Sequence, residues 1–172
     1  MRIDITKNPR ENILALVIAS NPGLSLTLGQ VSVGAPADLA GDPEYNSQVL
    51  LTAVPNAGFA GDRLITYNRL PLTSGVAVVP DSVQILADDD EAAAGVKVAA
   101  ALGLVEGQYV AADFAAPENE DVPGTITLTP VADSLLYIGD AVVMALTVAD
   151  ADIPLADAIV ADRMAGFEAV TA

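Results

Sequence analysis

Acidic side chains are the only residues of this chain whose types and spacing could support catalysis. The sequence contains no histidine and no cysteine, which excludes histidine acid–base catalysis, thiolate nucleophiles, disulfides and cysteine zinc sites. It also lacks the G-x-S-x-G, P-loop and G-x-G-x-x-G patterns. Paired carboxylates, as used in glycoside cleavage, remain. The candidates are Asp88, Asp89, Asp90, Glu91, Asp113, Glu118, Glu120 and Asp121.

These carboxylates fit structural roles better than catalytic ones. Asp88, followed three residues later by Glu91, is suited to cap a helix over residues 91–103, because the positive end of a helix favours acids. Neither acidic run has the spacing of an EF-hand calcium loop. Sugar cleavage also needs aromatic platforms, and this region offers only Tyr109 and Phe114. We therefore expect no metal and no cofactor.

An enzyme remains the rival interpretation, in which Asp113 and Glu120 act as an acid–base pair. Amide substitutions at both positions that abolish a hydrolytic activity would support it. No motif in the sequence supports such an activity, so we expect a protein that is not an enzyme.

The charge of the chain is strongly acidic and unevenly distributed. The 172 residues carry a net charge of −16, with 7 basic and 23 acidic side chains. Residues 1–80 hold five basic and six acidic side chains, and residues 81–172 hold two and 17. Such an acidic half repels phosphate backbones, so direct nucleic-acid binding is not expected. The nearly neutral N-terminal half is the better candidate for contacting a partner.

Composition predicts one soluble domain. The chain is 52% hydrophobic but only 4% aromatic, so its core must be built from Ala, Val, Leu and Ile. No apolar run approaches the roughly 18–20 residues that cross a bilayer. The start of the sequence lacks the apolar centre of a signal peptide, and we expect a soluble protein that is not secreted by the usual route and makes no membrane contact.

The periodicity of apolar residues predicts an α+β domain with antiparallel sheet or sheets and two short helices packed on one face. Asn8, Pro9 and Glu11 mark the start of the first helix, and residues 20–23 end it. The second helix covers residues 91–103, and residues 35–46 and 111–124 read as loops. Strands are expected at residues 24–34, 47–54, 63–70, 75–79, 82–86, 125–131 and 141–148.

One phrase occurs twice, each time between two expected strands. It reads LTAVPNAGFAGD at residues 51–62 and LTPVADSLLYIGD at residues 128–140. In both copies an aromatic residue, Phe59 or Tyr137, stands two residues before a Gly-Asp pair. The ring can anchor a hairpin loop, and the glycine can adopt positive φ. The alternatives are coincidence and a two-fold pseudo-repeat of helix plus hairpin.

The expected domain is a single unit at residues 1–152, with halves at 1–86 and 87–152 if the repeat is real. The remaining residues, 153–172, read either as a helix or as an extended arm.

The segment YNRLPL at residues 67–72 is the most distinctive short stretch. It places Tyr67 and Arg69 at the end of an expected strand, in the half of the chain that holds most of the positive charge. Tyrosine and arginine are favoured anchors at protein interfaces. Alternatively, the segment is only the end of a strand, and its arginine pairs with a nearby acidic residue. The two interpretations are equally open. The residues expected to face a partner are Phe59, Arg63, Tyr67, Arg69 and Tyr137.

The sequence also resembles a domain of virion structural proteins from large tailed bacteriophages. The matching features lie at residues 21–72: N-P-G-L, then L-T-A-V-P-N-A-G-F-x-G, then Y-N-R-L-x-L. The similarity continues through the second helix and GTITLTPVADSLLYIGD, so it covers nearly the whole chain. The resemblance implies a particle component with no catalytic residues, and leaves its place in the head, neck or tail open.

We therefore expect a virion structural protein that decorates or cements the capsid through its less acidic N-terminal half. Its partners would be the major capsid protein or neighbouring subunits, and the chain would form a homo-oligomer in the assembly. A neck or tail protein of the virion is one alternative. A surface adhesin or carbohydrate-binding module is another, but it would need an exposed aromatic platform, and aromatics are scarce.

Overall fold

A computed structural model describes residues 2–118 and 122–148 of the chain and shows an α+β fold. The described part contains two α-helices, a short 3₁₀ helix at Leu72–Gly75 and seven strands in two sheets. The elements follow one another as α1 (Pro9–Ser20), β1 (Val31–Asp38), β2 (Ser47–Ala53), β3 (Asp62–Tyr67), β4 (Ser82–Ile85), α2 (Glu91–Ala101), β5 (Tyr109–Ala115), β6 (Gly124–Pro130) and β7 (Val142–Val148).

Each sheet is built around an antiparallel meander. The first sheet has the order β1-β2-β3 and the second the order β4-β7-β6-β5. All pairings are antiparallel except that of β4 with β7, which is parallel. The predicted antiparallel α+β class is therefore confirmed, with the sheet divided in two.

Each of the two helices begins directly after a residue whose side chain caps its N-terminus. Asn8 and Glu11 form a reciprocal capping box at the start of α1, as the sequence predicts. The helix α2 starts at Glu91 as predicted, but its capping residue is Asp90 rather than Asp88, since the Asp90 side chain accepts the backbone N–H of Ala93 at 2.9 Å. The helix α2 packs against β4, β5 and β6, and α1 buries Ile13, Leu14 and Val17 in the core. No helix among the described residues is long and apolar enough to cross a membrane.

The predicted pseudo-repeat is present as two consecutive α-β-β-β units, α1-β1-β2-β3 and α2-β5-β6-β7. If Leu51 is matched to Leu128, the buried residues of β2 and β6 fall at the same positions. The first strand of each meander carries a register irregularity, between Val33 and Pro36 in β1 and between Ala112 and Ala115 in β5. Because the topology, the burial pattern and the register irregularities of the two units match, the two copies of the repeated phrase occupy equivalent places in the structure.

Both copies of the repeated phrase connect adjacent antiparallel strands, as predicted. The first joins β2 to β3 and the second joins β6 to β7. Gly61 has φ +81° and Gly139 has φ +105°, in the left-handed region that favours glycine. The two aromatics differ, because Phe59 is exposed whereas Tyr137 is buried. The part of the β6–β7 loop around Tyr137 therefore lies in the interior. It contacts the chain that leaves β3, because the Leu70 N–H donates to the Leu136 carbonyl at 2.9 Å and the Ile138 N–H donates to the Leu70 carbonyl at 3.0 Å.

Three expected elements are corrected by the structure. The strand predicted at residues 24–34 begins only at Val31, because the Gln30 side chain and backbone close a turn on Thr27. The strand then continues to Asp38, within the predicted loop. The strand predicted at residues 75–79 is absent, since the 3₁₀ helix ends there at Gly75. The loop predicted at residues 111–124 contains most of β5.

The core is one connected cluster of aliphatic residues drawn from both sheets and both helices, with Tyr67 and Tyr137 as its buried aromatics. This agrees with the composition, which leaves the core to Ala, Val, Leu and Ile. The boundary between residues 1–152 and the last 20 residues stays a prediction. The helix or arm expected at residues 153–172 lies outside the described residues, as do Glu120 and Asp121.

Candidate partner interface

The five residues predicted to face a partner divide into a buried and an exposed group. Tyr67 and Arg69 are each 4% exposed and Tyr137 is 1% exposed, whereas Phe59 is 40% exposed and Arg63 is also exposed. A partner that leaves this fold intact cannot reach the first three side chains. Tyr67, Arg69 and Tyr137 are therefore buried in the isolated chain, and their contact with a partner stays a prediction. Their neighbours show what these side chains do within the fold.

Arg69 is held in place by Asn46, the residue that precedes β2. The Asn46 side chain accepts the Arg69 backbone N–H at 2.8 Å and donates to the Arg69 carbonyl at 2.9 Å. This side-chain amide imitates the backbone pairing of a strand. The chain leaving β3 is therefore fixed so that the arginine side chain turns inward.

The guanidinium of Arg69 joins three separate parts of the chain. Its Nε donates to the Ser47 hydroxyl in β2 at 2.7 Å, and one terminal nitrogen donates to the Ser134 carbonyl in the β6–β7 loop at 3.1 Å. The other terminal nitrogen forms an ion pair with Asp38 at the end of β1. A planar guanidinium with several fixed donors suits such a junction, and lysine could not replace it.

The β6–β7 loop is closed by a second buried polar cluster. The Gln108 side-chain oxygen accepts from the Ser134 hydroxyl at 3.0 Å and from the Leu135 N–H at 2.9 Å. The Ser134 hydroxyl in turn accepts the Tyr137 N–H at 3.0 Å. No buried side-chain nitrogen or oxygen of the described residues lacks a partner. The bonds of Gln108 and Ser134 therefore fix the β6–β7 loop, and Arg69 joins that loop to the first sheet.

The two buried tyrosines serve the same junction. The Tyr67 hydroxyl donates to the Leu135 carbonyl at 2.9 Å, and the Tyr137 hydroxyl accepts the Val105 N–H at 3.2 Å. Burial raises the pKa of Tyr67 to about 12 and raises the pKa of Tyr137 as well. Burial disfavours the charged phenolate, which is the physical cause of both shifts.

The raised pKa of Tyr67 predicts a loss of stability at alkaline pH. Its contribution is fully present below the unfolded pKa near 10 and is lost as the pH rises through about 12. We expect Tyr67→Phe to reduce the loss in unfolding free energy between roughly pH 9 and pH 11.5 by about 2 kcal/mol. Urea titrations at both pH values measure this difference. Glu44 accepts a hydrogen bond from the Tyr45 hydroxyl and raises the pKa of Tyr45 as well, so Tyr45→Phe should reduce the decline, but less than Tyr67→Phe, whose hydroxyl is buried. An equal decline in all three chains would contradict the prediction.

The exposed face of the first sheet has different properties. Leu50 in β2 and Leu64 in β3 lie directly opposite each other and are 43% and 53% exposed. Their side chains point away from the core-facing residues Val49 and Ile65. Phe59 and Arg63 line a cavity of about 340 Å³ beside the core-facing side of the same hairpin. The N-terminal half therefore presents apolar side chains to solvent on both sides of its sheet.

The acidic residues do not assemble into a catalytic pair in the described structure. Asp89 forms an ion pair with Lys97, and the hydrogen bond from Lys97 lowers the pKa of that carboxyl, the opposite of what a general acid needs. Asp90 caps α2. Asp113 is an exposed residue with φ +55° at the irregularity of β5. Among the described residues, no group of three or more His, Cys, Asp or Glu side chains could hold a metal ion.

The fold and its buried polar junction define an α+β protein made of two α-β-β-β units joined through Arg69 and the β6–β7 loop. The chain belongs to a family described as a family of unknown function, DUF7941, which matches residues 3–172. No curated protein and no solved structure matches the chain.

The sequence analysis favours the N-terminal half for a partner contact but does not name Leu50 and Leu64, which are exposed there. Leu50 and Leu64 occupy expected strands, and the signal was available in Val49, Leu50 and Leu51, where three apolar residues follow one another. In a strand with one buried face, such a run must place one apolar side chain on the outer face.

Proposed function

We propose that this chain is a structural component of a bacteriophage virion that decorates or cements the capsid through its less acidic N-terminal half. The observation that carries the proposal is the exposed pair formed by Leu50 and Leu64 on the outer face of the first sheet. This pair lies in the half of the chain with five basic and six acidic residues. An exposed apolar surface is typical of a site that contacts another protein.

The distribution of charge supports the same orientation. Copies of a chain with a net charge of −16 repel one another most strongly through residues 81–172, which carry two basic and 17 acidic side chains. Contact through the first sheet keeps that half directed toward solvent. The resemblance of residues 21–72 to virion proteins of large tailed phages supports the proposal that the chain assembles on the virus particle.

The internal use of the polar side chains also supports a structural role. Arg69 joins the first sheet to the β6–β7 loop through the Ser134 carbonyl, and Gln108 fixes that loop. A subunit of a particle must present a rigid surface, and a fully paired buried network supplies that rigidity. In this proposal the neighbouring subunit is the major capsid protein or another virion protein.

The alternatives within the virion, a neck or a tail position, use the same surface and differ only in location. A carbohydrate-binding module is less well supported, because Phe59 is the one aromatic side chain among the described residues that is exposed. A single ring does not make an aromatic platform.

Purified particles of the phage that encodes the chain provide the test. We expect mass spectrometry to find the chain at a fixed copy number per particle, and electron microscopy to locate it on the head. Leu64→Asp should weaken the affinity of the chain for particles about tenfold or more, since about 1.4 kcal/mol of contact energy corresponds to a tenfold change in binding constant, and should lower its occupancy at subsaturating concentration. Val143→Asp, at an exposed position on the outer face of the second sheet, is the matched control and should preserve occupancy.

Absence of the chain from particles would overturn the proposal, and so would equal occupancy of the Leu64→Asp variant and the parent. Location at the neck or tail would replace the decoration role with that of a neck or tail subunit.

A further inference from the structure

We infer that the free edge of β3 in one copy of the chain binds the C-terminal segment, residues 149–172, of a neighbouring copy as an additional strand. This inference rests on the proposed role in an assembly and names the contact between copies. It follows from the edge itself, from the internal repeat, from the groove beside the edge and from the charge of the segment.

The outer edge of β3 presents unpaired backbone groups. The Ala53 N–H donates to the Gly61 carbonyl at 3.0 Å, which fixes the phase of the ladder between β2 and β3. In an antiparallel pair the bonded positions alternate, so the backbone groups of Leu64 and Thr66 point away from β2. No hydrogen bond joins these groups to another described residue. The edge is therefore able to accept a further strand.

The other sheet edges of the described structure carry features that discourage pairing. β1 contains Pro36 and a register irregularity, and β5 contains an irregularity with Asp113 at φ +55°. β4 is only four residues long. β3 has six residues, no proline and no irregularity in its pairing with β2. Native edge strands are normally protected by such devices, so their absence in β3 points to a strand that is covered in use.

The internal repeat shows how the equivalent edge is covered. In the second unit the last strand of the meander, β7, is paired in parallel with β4, which immediately precedes α2. In the first unit the corresponding residues precede α1, and residues 2–8 form no strand. The first sheet therefore has three strands where the second has four. The open position lies beside β3.

An apolar groove runs along this open position. A cavity of about 470 Å³ lies between α1 and the end of β3, and a second of about 340 Å³ lies beside the β2–β3 loop. Val17 of α1 and Ile65 of β3 line both cavities, so the two form one continuous groove. Arg2 lines the first cavity and Arg63 the second. The groove thus combines an apolar floor with a basic residue in each part, and the acidic Asp62 also lines the second part.

The composition of residues 149–172 fits this groove. The segment contains five acidic residues and one arginine, together with apolar residues that include Ile153, Leu155, Ile159 and Val160. Its acids complement the arginines of the groove, and its apolar residues can occupy the floor. The family match extends to residue 172, so the segment is part of the sequence that defines the family.

The position of β7 favours a neighbouring copy as the source of the segment. β7 starts beside the loop that contacts the first sheet and ends at Val148, paired with Ile85. The described chain therefore ends at the end of the second sheet opposite to that loop, and the segment begins there. Its 24 residues span up to about 80 Å when extended, at about 3.3 Å per residue, which is enough to reach an adjacent subunit.

Two full-length variants test the inference. One disrupts the edge of β3, and the other disrupts the C-terminal segment. Thr66→Pro removes only a backbone N–H that points away from β2, and Thr66→Val is the control that keeps it. The second variant combines Ile153→Asp, Leu155→Asp and Ile159→Asp in the C-terminal segment. We expect the parent and Thr66→Val to associate in size-exclusion chromatography with light scattering, and each disrupted variant to elute as a monomer with an unchanged circular dichroism spectrum.

Mixing the two disrupted variants provides the decisive measurement. One retains an intact segment and the other an intact edge, so we expect a one-to-one dimer that neither forms alone. A synthetic peptide of residues 149–172 should dissociate oligomers of the parent chain. The inference is overturned if Thr66→Pro associates like the parent, if the mixture stays monomeric, or if the parent itself is monomeric at concentrations that saturate particle binding. If the chain is found at fixed stoichiometry on particles and one of these results is also obtained, the proposed function stands. Only the inferred contact between the β3 edge and residues 149–172 is then rejected.

Discussion

Replacing Arg69 with methionine will destabilise the folded chain by about 3 kcal/mol, the range expected when a buried arginine leaves its partners unpaired. Methionine fills a similar volume, so the loss reports the missing hydrogen bonds rather than a cavity. The Ser47 hydroxyl and the Ser134 carbonyl would each lose a buried donor. Urea unfolding followed by circular dichroism measures the change, and an unfolded variant would be a more extreme form of the same result.

Two controls separate this effect from simple loss of charge. Arg63→Met removes an exposed arginine from the neighbouring strand and should change stability by no more than about 0.5 kcal/mol. Asp38→Asn weakens only the ion pair, whose carboxylate is 76% exposed, and should cost less than about 1 kcal/mol. A loss for Arg69→Met as small as that for Arg63→Met would show that the buried junction does not hold the sheets together.

Truncating Tyr137 to alanine will destabilise the chain by about 3 to 5 kcal/mol, as for other large core aromatics. The ring is 1% exposed, and its hydroxyl accepts the Val105 N–H, so both packing and a buried hydrogen bond are lost. Thermal unfolding of the purified variant measures the effect as a large fall in the transition temperature.

Phe59 is the matched control for Tyr137, because it occupies the equivalent place in the first copy of the repeated phrase. Phe59 is 40% exposed, and Phe59→Ala should therefore cost less than about 1 kcal/mol. Similar losses at the two positions would contradict the different roles that the structure gives to the two loops.

The strands that sequence could predict were those bounded by distinct turn residues. The Gly-Asp pairs at Gly61 and Gly139 stand at or just before the starts of β3 and β7, and the positive φ of both glycines matches the conformation that the pattern requires. The capping box at Asn8 and Glu11 was equally local, since both partners lie within four residues. Local chemistry therefore sufficed for α1 and for the hairpin loops.

The strands that the sequence misplaces have two separate causes. The alternating leucines at residues 24–28 resemble a strand, but the Gln30 side chain closes a turn on Thr27 and delays β1 to Val31. The sequence predicts a loop over most of β5, because the alanines of this segment have low strand propensity and Asp113 interrupts its register. Only pairing with β6, distant in sequence, makes this segment a strand.

The burial of Tyr67 and Arg69 could not be read from the sequence. Tyrosine and arginine are typical of interfaces, yet here the guanidinium partners, Ser47 and Ser134, lie 22 and 65 residues away. A buried arginine becomes acceptable only when such partners converge, and their convergence is a property of the fold. The outward-facing leucines had a local signal, because three apolar residues in succession cannot all face one side of a strand.

The central claim is that this chain acts by fitting the first sheet against a neighbouring protein. Hydroxyl-radical footprinting of the chain on native particles and in isolation, read out by mass spectrometry, tests it most directly. The account predicts protection on the particle at Leu50, Leu64 and Phe59, with Val143 on the second sheet labelled equally in both states. Equal labelling of the first three residues on and off the particle, or protection confined to the second sheet, would contradict it.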